Sequence, residues 1–65
     1  MKKEDLPNVD GWVLDGTTYK KGGKAALFNE ETGNLSVGIY IPAGSKIFEG
    51  KVNTPSDIVN ILSRY

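Results

Sequence analysis

The clearest periodic pattern in the sequence is Leu35-Ser36-Val37-Gly38-Ile39-Tyr40-Ile41. Leucine, valine and isoleucine at the odd-numbered positions alternate with serine, glycine and tyrosine at the even-numbered ones. Successive side chains of a β-strand point to opposite faces, so this alternation predicts a half-buried strand with one apolar face. We expect the hydrophobic core to form against that face.

The segments on either side of this strand predict a sheet of three or four antiparallel strands. Trp12 and Leu14 are expected to face inward from the first strand, and residues 24–29 form the next strand, with Leu27 in the core. The apolar residues of segment 46–52 do not share a parity. This segment is therefore predicted either as an edge strand with a β-bulge or as an ordered loop.

Three glycine-containing segments are candidates for the turns or bulges of the predicted sheet. Asp15-Gly16 is typical of a two-residue hairpin, but that reading leaves a very short first strand. We favour a bulge at Gly16 within one longer strand that runs to Tyr19. Residues 20–23 contain two glycines and predict a hairpin turn, because glycine adopts positive φ freely. Residues 30–34 predict the next hairpin turn, which leads into the central strand.

A C-terminal helix is predicted to begin at Thr54. The Thr54 side chain can cap the first backbone N–H groups, Pro55 suits the first helical position, and Asp57 favours the positive helix end. Apolar residues then recur at the spacing of one helix face: Ile58, Ile61, Leu62 and Tyr65. A helix this short is not stable alone, so we expect it to pack on the sheet.

The predicted fold class is α+β, with a small antiparallel three- to four-stranded sheet in the order β-β-β-(β)-α and one C-terminal helix packed on one face. Residues 1–10 are rich in charge and contain a proline, and they are predicted to form a flexible or loosely docked N-terminal arm. Residues 11–65 form the single α+β domain. The predicted core is Trp12, Leu14, Leu27, Leu35, Val37, Ile39, Ile41, Ile47 or Phe48, Val52, Ile58, Ile61 and Leu62.

The composition excludes several kinds of chemistry. The chain has 65 residues, eight basic and eight acidic side chains, no cysteine and no histidine. The absence of these two residue types excludes histidine-dependent triads, cysteine nucleophiles and ordinary zinc or haem sites. Paired carboxylates need a deep cleft, for which a domain of this size has little room. We therefore expect no enzyme activity, no cofactor and no metal.

Charge and hydropathy also limit the expected partners and location. A net charge of zero argues against a dedicated non-specific nucleic-acid binder and against an acidic DNA mimic. No apolar run approaches the roughly 20 residues of a membrane span. The first three residues are followed by Glu4 and Asp5 rather than by an apolar stretch, so no signal peptide is expected. The chain is predicted to be soluble and cytoplasmic.

The segment from Lys20 to Lys24 is a candidate nucleic-acid contact. Its spacing does not match a phosphate-binding loop, and Ala25 stands where such a loop has Ser or Thr. The plainer interpretation is a soluble hairpin tip. The functional interpretation is a basic finger of Lys20, Lys21 and Lys24 that contacts the phosphate backbone, with Tyr40 stacking on an unpaired base.

Aromatic residues on an open sheet face are the second candidate. Tyr40 alternates out of the central strand beside small residues, and neighbouring strands could add Tyr19 or Phe28 to the same face; Phe48 belongs to the uncertain edge segment. Such side chains can anchor a protein interface, although Tyr40 could equally be packed by long side chains or covered by the arm. We expect a small non-enzymatic interaction module that binds a protein partner or self-associates as a homodimer, through a sheet face or edge. The alternative is a nucleic-acid-binding module that uses the basic hairpin tip and an exposed sheet tyrosine.

Three dipeptides also resemble a known family in their order along the chain: Gly11-Trp12, Ile41-Pro42 and Ile61-Leu62. They are similar to the strand start, strand end and final helix of the small mRNA-interferase toxins of the HicA family. The resemblance implies a fold like that of double-stranded-RNA-binding domains, with a three-stranded sheet. The catalytic histidine of that family has no counterpart here, and a segment containing Pro7 stands in place of its first helix. No site residue is carried over.

Overall fold

A computed structural model describes residues 1–39 and 45–65 of the chain. Within these residues, five antiparallel strands follow one another as a meander, and their spatial order is their chain order. The strands are β1 (Val13–Asp15), β2 (Thr18–Lys21), β3 (Lys24–Asn29), β4 (Asn34–Ile39) and β5 (Ser45–Lys51), followed by helix α1 (Pro55–Leu62). The predicted α+β class with a C-terminal helix is confirmed. The prediction of three or four strands is wrong, because the described sheet has five.

The additional strand arises at Gly16. Asp15 pairs with Thr18, so Gly16 and Thr17 form a two-residue turn between β1 and β2. Gly16 has a φ of 65°, a conformation that is easy only for glycine. The preferred interpretation of a bulge at this position was therefore wrong, and the alternative of a hairpin was right, with Gly16 and Thr17 rather than Asp15 and Gly16 as the two turn residues. A three-residue first strand is sufficient because β1 lies at the edge of the sheet and pairs on one side only.

The other two predicted hairpin turns are confirmed. Lys21 pairs with Lys24 across the two glycines, of which Gly22 has a φ of 57°. Asn29 pairs with Asn34 across the four-residue turn 30–33. Short turns of this kind connect neighbouring strands, which is why the whole sheet is antiparallel.

Strand β5 contains the β-bulge that was one of the two interpretations of segment 46–52. Val37 pairs with Phe48 and Gly38 pairs with Lys46, which leaves Ile47 as an extra residue without a partner on β4. An extra residue reverses the alternation of side chains along the strand. Ile47 is itself the extra residue, so it stands outside the alternation that Phe48 and Val52 share, and this explains why the apolar residues of the segment do not share a parity.

One face of the sheet, here called the inner face, carries the core. The buried residues form a single cluster: Val9, Trp12, Tyr19, Ala26, Phe28, Leu35, Val37, Val52, Ile58 and Leu62. Helix α1 supplies Ile58 and Leu62 to this cluster, and the indole Nε1–H of Trp12 donates a hydrogen bond to the Leu62 carbonyl oxygen at 3.1 Å. The prediction that the helix packs on one sheet face is confirmed.

The prediction of which β3 side chains face the core was wrong. Leu27 was expected in the core, but it is 56% exposed, whereas Ala26 and Phe28 are buried. Leu27 pairs with Ser36, and Phe28 pairs with Leu35, so the register of β4 decides which side each residue occupies. Among the other predicted core residues, some are only half-buried or exposed: Leu14, Ile39, Ile47, Phe48 and Ile61. The predicted core residue Ile41 lies outside the described residues.

The start of helix α1 has the predicted cap. The Thr54 hydroxyl accepts a hydrogen bond from the Asp57 backbone N–H at 3.3 Å. The Asp57 carboxylate in turn accepts from the backbone N–H groups of Asn53 and Thr54, at 3.0 and 3.2 Å. These hydrogen bonds lower the pKa of Asp57 below its ordinary value. The cap satisfies the free N–H groups at the helix start, so the helix can begin directly after β5.

Residues 1–10 contact the sheet. Val9 is part of the buried cluster, and Met1 and Leu6 pack against it. The Tyr19 hydroxyl donates a hydrogen bond to the Pro7 carbonyl oxygen at 2.6 Å. The packed structure thus includes residues before Gly11, where order was predicted to begin. Whether the segment is flexible or loosely docked stays a prediction.

Candidate functional site

The outer face of the sheet, opposite the core, is the candidate site. Residues paired across antiparallel strands share a face, so the register defines rows of side chains that cross all five strands. The lysine row consists of Val13, Lys20, Ala25, Gly38 and Lys46. The acidic row, one step further along the strands, consists of Asp15, Thr18, Leu27, Ser36 and Glu49.

The centre of the outer face is apolar and shallow. Leu27 lies on β3, the middle strand, and 56% of it is exposed. Its neighbours on the same face are short, with Ala25 on its own strand and Ser36 across from it. Val13 adds a second apolar side chain at the β1 edge and is 67% exposed. Among residues 1–39 and 45–65, both side chains are thus largely left exposed by their neighbours.

An ion pair lies on each side of the apolar centre. Lys20 Nζ is 3.7 Å from the Asp15 carboxylate at the β1 side, and Lys46 Nζ is 2.9 Å from the Glu49 carboxylate on β5. The hydrogen bond and the charge of Lys46, with a smaller effect from the Ser36 hydroxyl, lower the pKa of Glu49. Both pairs are exposed to solvent, so they contribute little to stability. The two ion pairs instead matter because they place charges of both signs on the outer face.

The bulge at Ile47 creates the second ion pair. Lys46 and Glu49 are three residues apart, and in a regular strand they would point to opposite faces. The extra residue between them puts both side chains on the outer face. Sequence reasoning did not identify Glu49 as a site residue. The conflicting parity of segment 46–52 was the available signal.

The predicted nucleic-acid residues are divided between the two faces. Lys20 lies on the outer face, whereas Lys21 and Lys24 lie on the inner face. Lys21 Nζ is 5.7 Å from the centre of the Trp12 ring, a cation–π geometry. Lys24 Nζ donates a hydrogen bond to the backbone oxygen of Tyr65. The hairpin tip therefore does not present its three lysines as one patch.

Of the predicted interface aromatics, Tyr19 and Phe28 are buried in the core rather than exposed on the outer face. The expectation that Tyr19 or Phe28 lies on an open sheet face was therefore wrong. Burial raises the pKa of Tyr19 to about 12. Phe48 is half-buried on the inner side, where its ring covers Gly50 so closely that an added Cβ would lie 2.9 Å from it. The predicted site residue Tyr40 lies outside the described residues.

The charged side chains of the described residues lie at the surface. No charged side chain among them is buried, and no three Asp or Glu residues of these segments come together as a metal site. The carboxylates with shifted pKa values, Glu49 and Asp57, owe the shift to hydrogen bonds at the surface. Within the same residues, no helix has the length and apolar character that crossing a membrane requires.

Comparison of the chain with protein-family models, with curated proteins and with solved structures gives no match. The resemblance to the HicA family rests on three dipeptides, of which Ile41-Pro42 lies outside the described residues. The sheet that the structure describes also has five strands, where that resemblance implies three.

Proposed function

We propose that this protein is a small non-enzymatic interaction module whose outer sheet face docks against another protein surface. The observation that carries the proposal is the exposed Leu27 on the middle strand of the five-stranded sheet that residues 1–39 and 45–65 form. Protein interfaces commonly have an apolar centre surrounded by a polar, solvent-accessible rim. Here the centre is Leu27 with Ala25, and the rim is formed by the two ion pairs, with Val13 at the β1 edge.

The face is a better candidate than either edge of the sheet. Strand β1 offers only three residues to a pairing partner, and β5 combines a bulge with three charged side chains. Short strands, bulges and charges are the features by which proteins prevent pairing at sheet edges. Of the two surfaces considered from the sequence, the structure thus favours the face.

Nucleic-acid binding remains the alternative function. It has less geometric support, because Lys20 is paired with Asp15 on the outer face while Lys21 and Lys24 contact other groups on the inner side. A nucleic-acid contact through phosphates would weaken steeply with added salt. This dependence separates it from docking on an apolar centre.

The proposal is tested by photo-crosslinking from the outer face in cells. A photoreactive phenylalanine analogue replaces Leu27 in one variant and Asn60, an exposed residue of helix α1, in a matched control. We expect protein adducts, including adducts between copies of the chain, to form in much higher yield from position 27. Equal yields from the two positions would contradict the proposal. Adducts that disappear after nuclease treatment would instead support the nucleic-acid alternative.

A further inference from the structure

The charges of the outer face are sorted by row rather than by strand. Lys20 and Lys46, near opposite sides of the sheet, both belong to the lysine row. Asp15 and Glu49, also on opposite sides, both belong to the acidic row. The two rows are two residues apart along the strands, which is about 7 Å. The face therefore has a positive and a negative half that meet between the rows.

Of the two twofold axes that run along and across the strands, only one makes this pattern self-complementary. A twofold axis that lies in the interface parallel to the strands would place lysines on lysines and acids on acids. A twofold axis that crosses the strands between the two rows places the lysine row of each copy on the acidic row of the other. Lys46 of each copy then faces Glu49 of the other, and the same exchange brings Lys20 towards Asp15. Opposite charges across an interface favour one orientation and suppress others.

The apolar centre is complementary under the same rotation. Ala25 and Leu27 lie on opposite sides of the axis on the middle strand, so the Leu27 side chain of each copy covers Ala25 of the other. Ser36 and Gly38 on β4 exchange in the same way. On these two strands the larger side chain of each copy meets a smaller one of the other, whereas Val13 on β1 faces Asp15 of the other copy. The twist of two stacked sheets is accommodated at about 30° between their strands.

We infer that the surface that docks on the outer face is a second copy of this chain, related to the first by a twofold axis that crosses the strands between the lysine and acidic rows. This inference rests on the proposed function and names its partner. A symmetric dimer requires the same patch on both subunits to be self-complementary, and the sorted charges and the Leu27–Ala25 pairing meet that requirement.

The size of the face sets the strength of this dimer. The five strands lie about 4.8 Å apart and average about five residues in length, so the face spans roughly 24 by 17 Å. That area is smaller than the roughly 800 Å² per partner of a standard interface. The dimer is therefore weak and reversible, and it populates at tens of micromolar or above.

Sedimentation velocity of the full chain tests the choice of face. Wild type is compared with Leu27→Glu and with the control Asn60→Asp, which adds the same charge on helix α1. The protein concentration is varied from about 10 µM to about 1 mM, the range in which weakly associating dimers become populated. We expect wild type and Asn60→Asp to shift from monomer to dimer and Leu27→Glu to remain monomeric. Circular dichroism checks that each variant is folded.

The axis is tested by charge complementation. In the inferred dimer, Lys46→Glu places like charges on Glu49 of the other copy, and Glu49→Lys places like charges on Lys46. Each variant alone is expected to dimerise about tenfold more weakly than wild type, because two exposed pairs per dimer reverse from attraction to repulsion. An equimolar mixture restores both pairs and is expected to form heterodimers of wild-type affinity.

The outcomes separate this inference from the proposed function. A wild type that stays monomeric throughout would overturn the second copy as partner, while the crosslinking result from position 27 would still decide the docking face. A dimer that survives Leu27→Glu would overturn the second copy as the occupant of the outer face and would point to a sheet edge, while the crosslinking result would again decide the docking face. A dimer that Leu27→Glu abolishes, but that shows no recovery in the mixture, would overturn the axis.

Discussion

The two faces of the sheet are built from similar residues but have opposite environments. On β3, the inner face receives Ala26 and Phe28, and the outer face receives Ala25 and Leu27. Each pair combines an alanine with a large apolar side chain, yet Phe28 is buried and Leu27 is exposed. The difference lies in what covers each face, because helix α1 and residues 1–10 pack on the inner side only. Hydrophobicity alone did not select the face that becomes the core.

The largest expected effect is the difference in stability between truncating a leucine to alanine on the inner face and making the same truncation on the outer face. Leu35→Ala removes a leucine that is 0% exposed on the inner face and should destabilise the fold by about 2–5 kcal/mol through lost burial and a cavity. Leu27→Ala on the outer face should change stability by no more than about 0.5 kcal/mol. Urea unfolding of both variants at low protein concentration measures the difference.

A domain of this size has only about 3–5 kcal/mol of core stabilisation, so Leu35→Ala is expected to be largely unfolded in water. Similar losses from Leu35→Ala and Leu27→Ala would mean that the outer face is covered in solution, and would remove the basis for the proposed docking surface.

The central strand, the hairpin turns after β2 and β3 and the helix cap could all be predicted from the sequence, because each depends on neighbours in the chain. Strict alternation identified Leu35 and Val37 as core residues, and Thr54 with Asp57 identified the helix start. The face assignment of β3 could not be predicted in this way. Adjacent apolar residues fit either parity, and only pairing with β4 decides between them.

The candidate site was predicted less well than the fold. The lysines of the hairpin tip were treated as a group because they are close in sequence, but alternation along β2 sends Lys20 and Lys21 to opposite faces. The aromatic residue Tyr19 was assigned to an open face and is instead the largest fully buried side chain. Conversely, Glu49 and Lys46 lie on the same face only because of the bulge between them. Which side chains a bulge brings to one face can be predicted only when the pairing register is known.

A smaller effect on stability is expected from removing the hydrogen bond that connects residues 1–10 to the inner face. Tyr19→Phe removes the hydroxyl that bonds to the Pro7 carbonyl oxygen and should destabilise the fold by about 1 kcal/mol at neutral pH. Burial raises the pKa of Tyr19 to about 12 from its ordinary value of 10.0. Above the ordinary pKa, the unfolded chain loses this proton while the folded chain retains it.

The contribution of Tyr19 to stability is therefore fully present below the unfolded pKa near 10 and is lost as the pH rises towards the folded pKa of about 12. Urea unfolding of wild type and Tyr19→Phe, measured from neutral pH up to about pH 12, tests this effect. The difference between the two proteins should shrink as the pH rises through this window. A difference that does not change with pH would show that Tyr19 is solvated, and that the N-terminal segment covers the inner face only loosely.

The smallest effect on stability is expected from the polar contacts of the outer face. Lys46→Met removes the ion pair with Glu49 but keeps an unbranched side chain of similar length on the strand. Because both charges are exposed to solvent, the unfolding midpoint of dilute protein should not change measurably. The same substitution should weaken the inferred dimer, since Glu49 of the other copy loses its partner. A marked loss of stability in dilute Lys46→Met would instead mean that the ion pair maintains the bulge, so that the charge rows serve the fold rather than recognition.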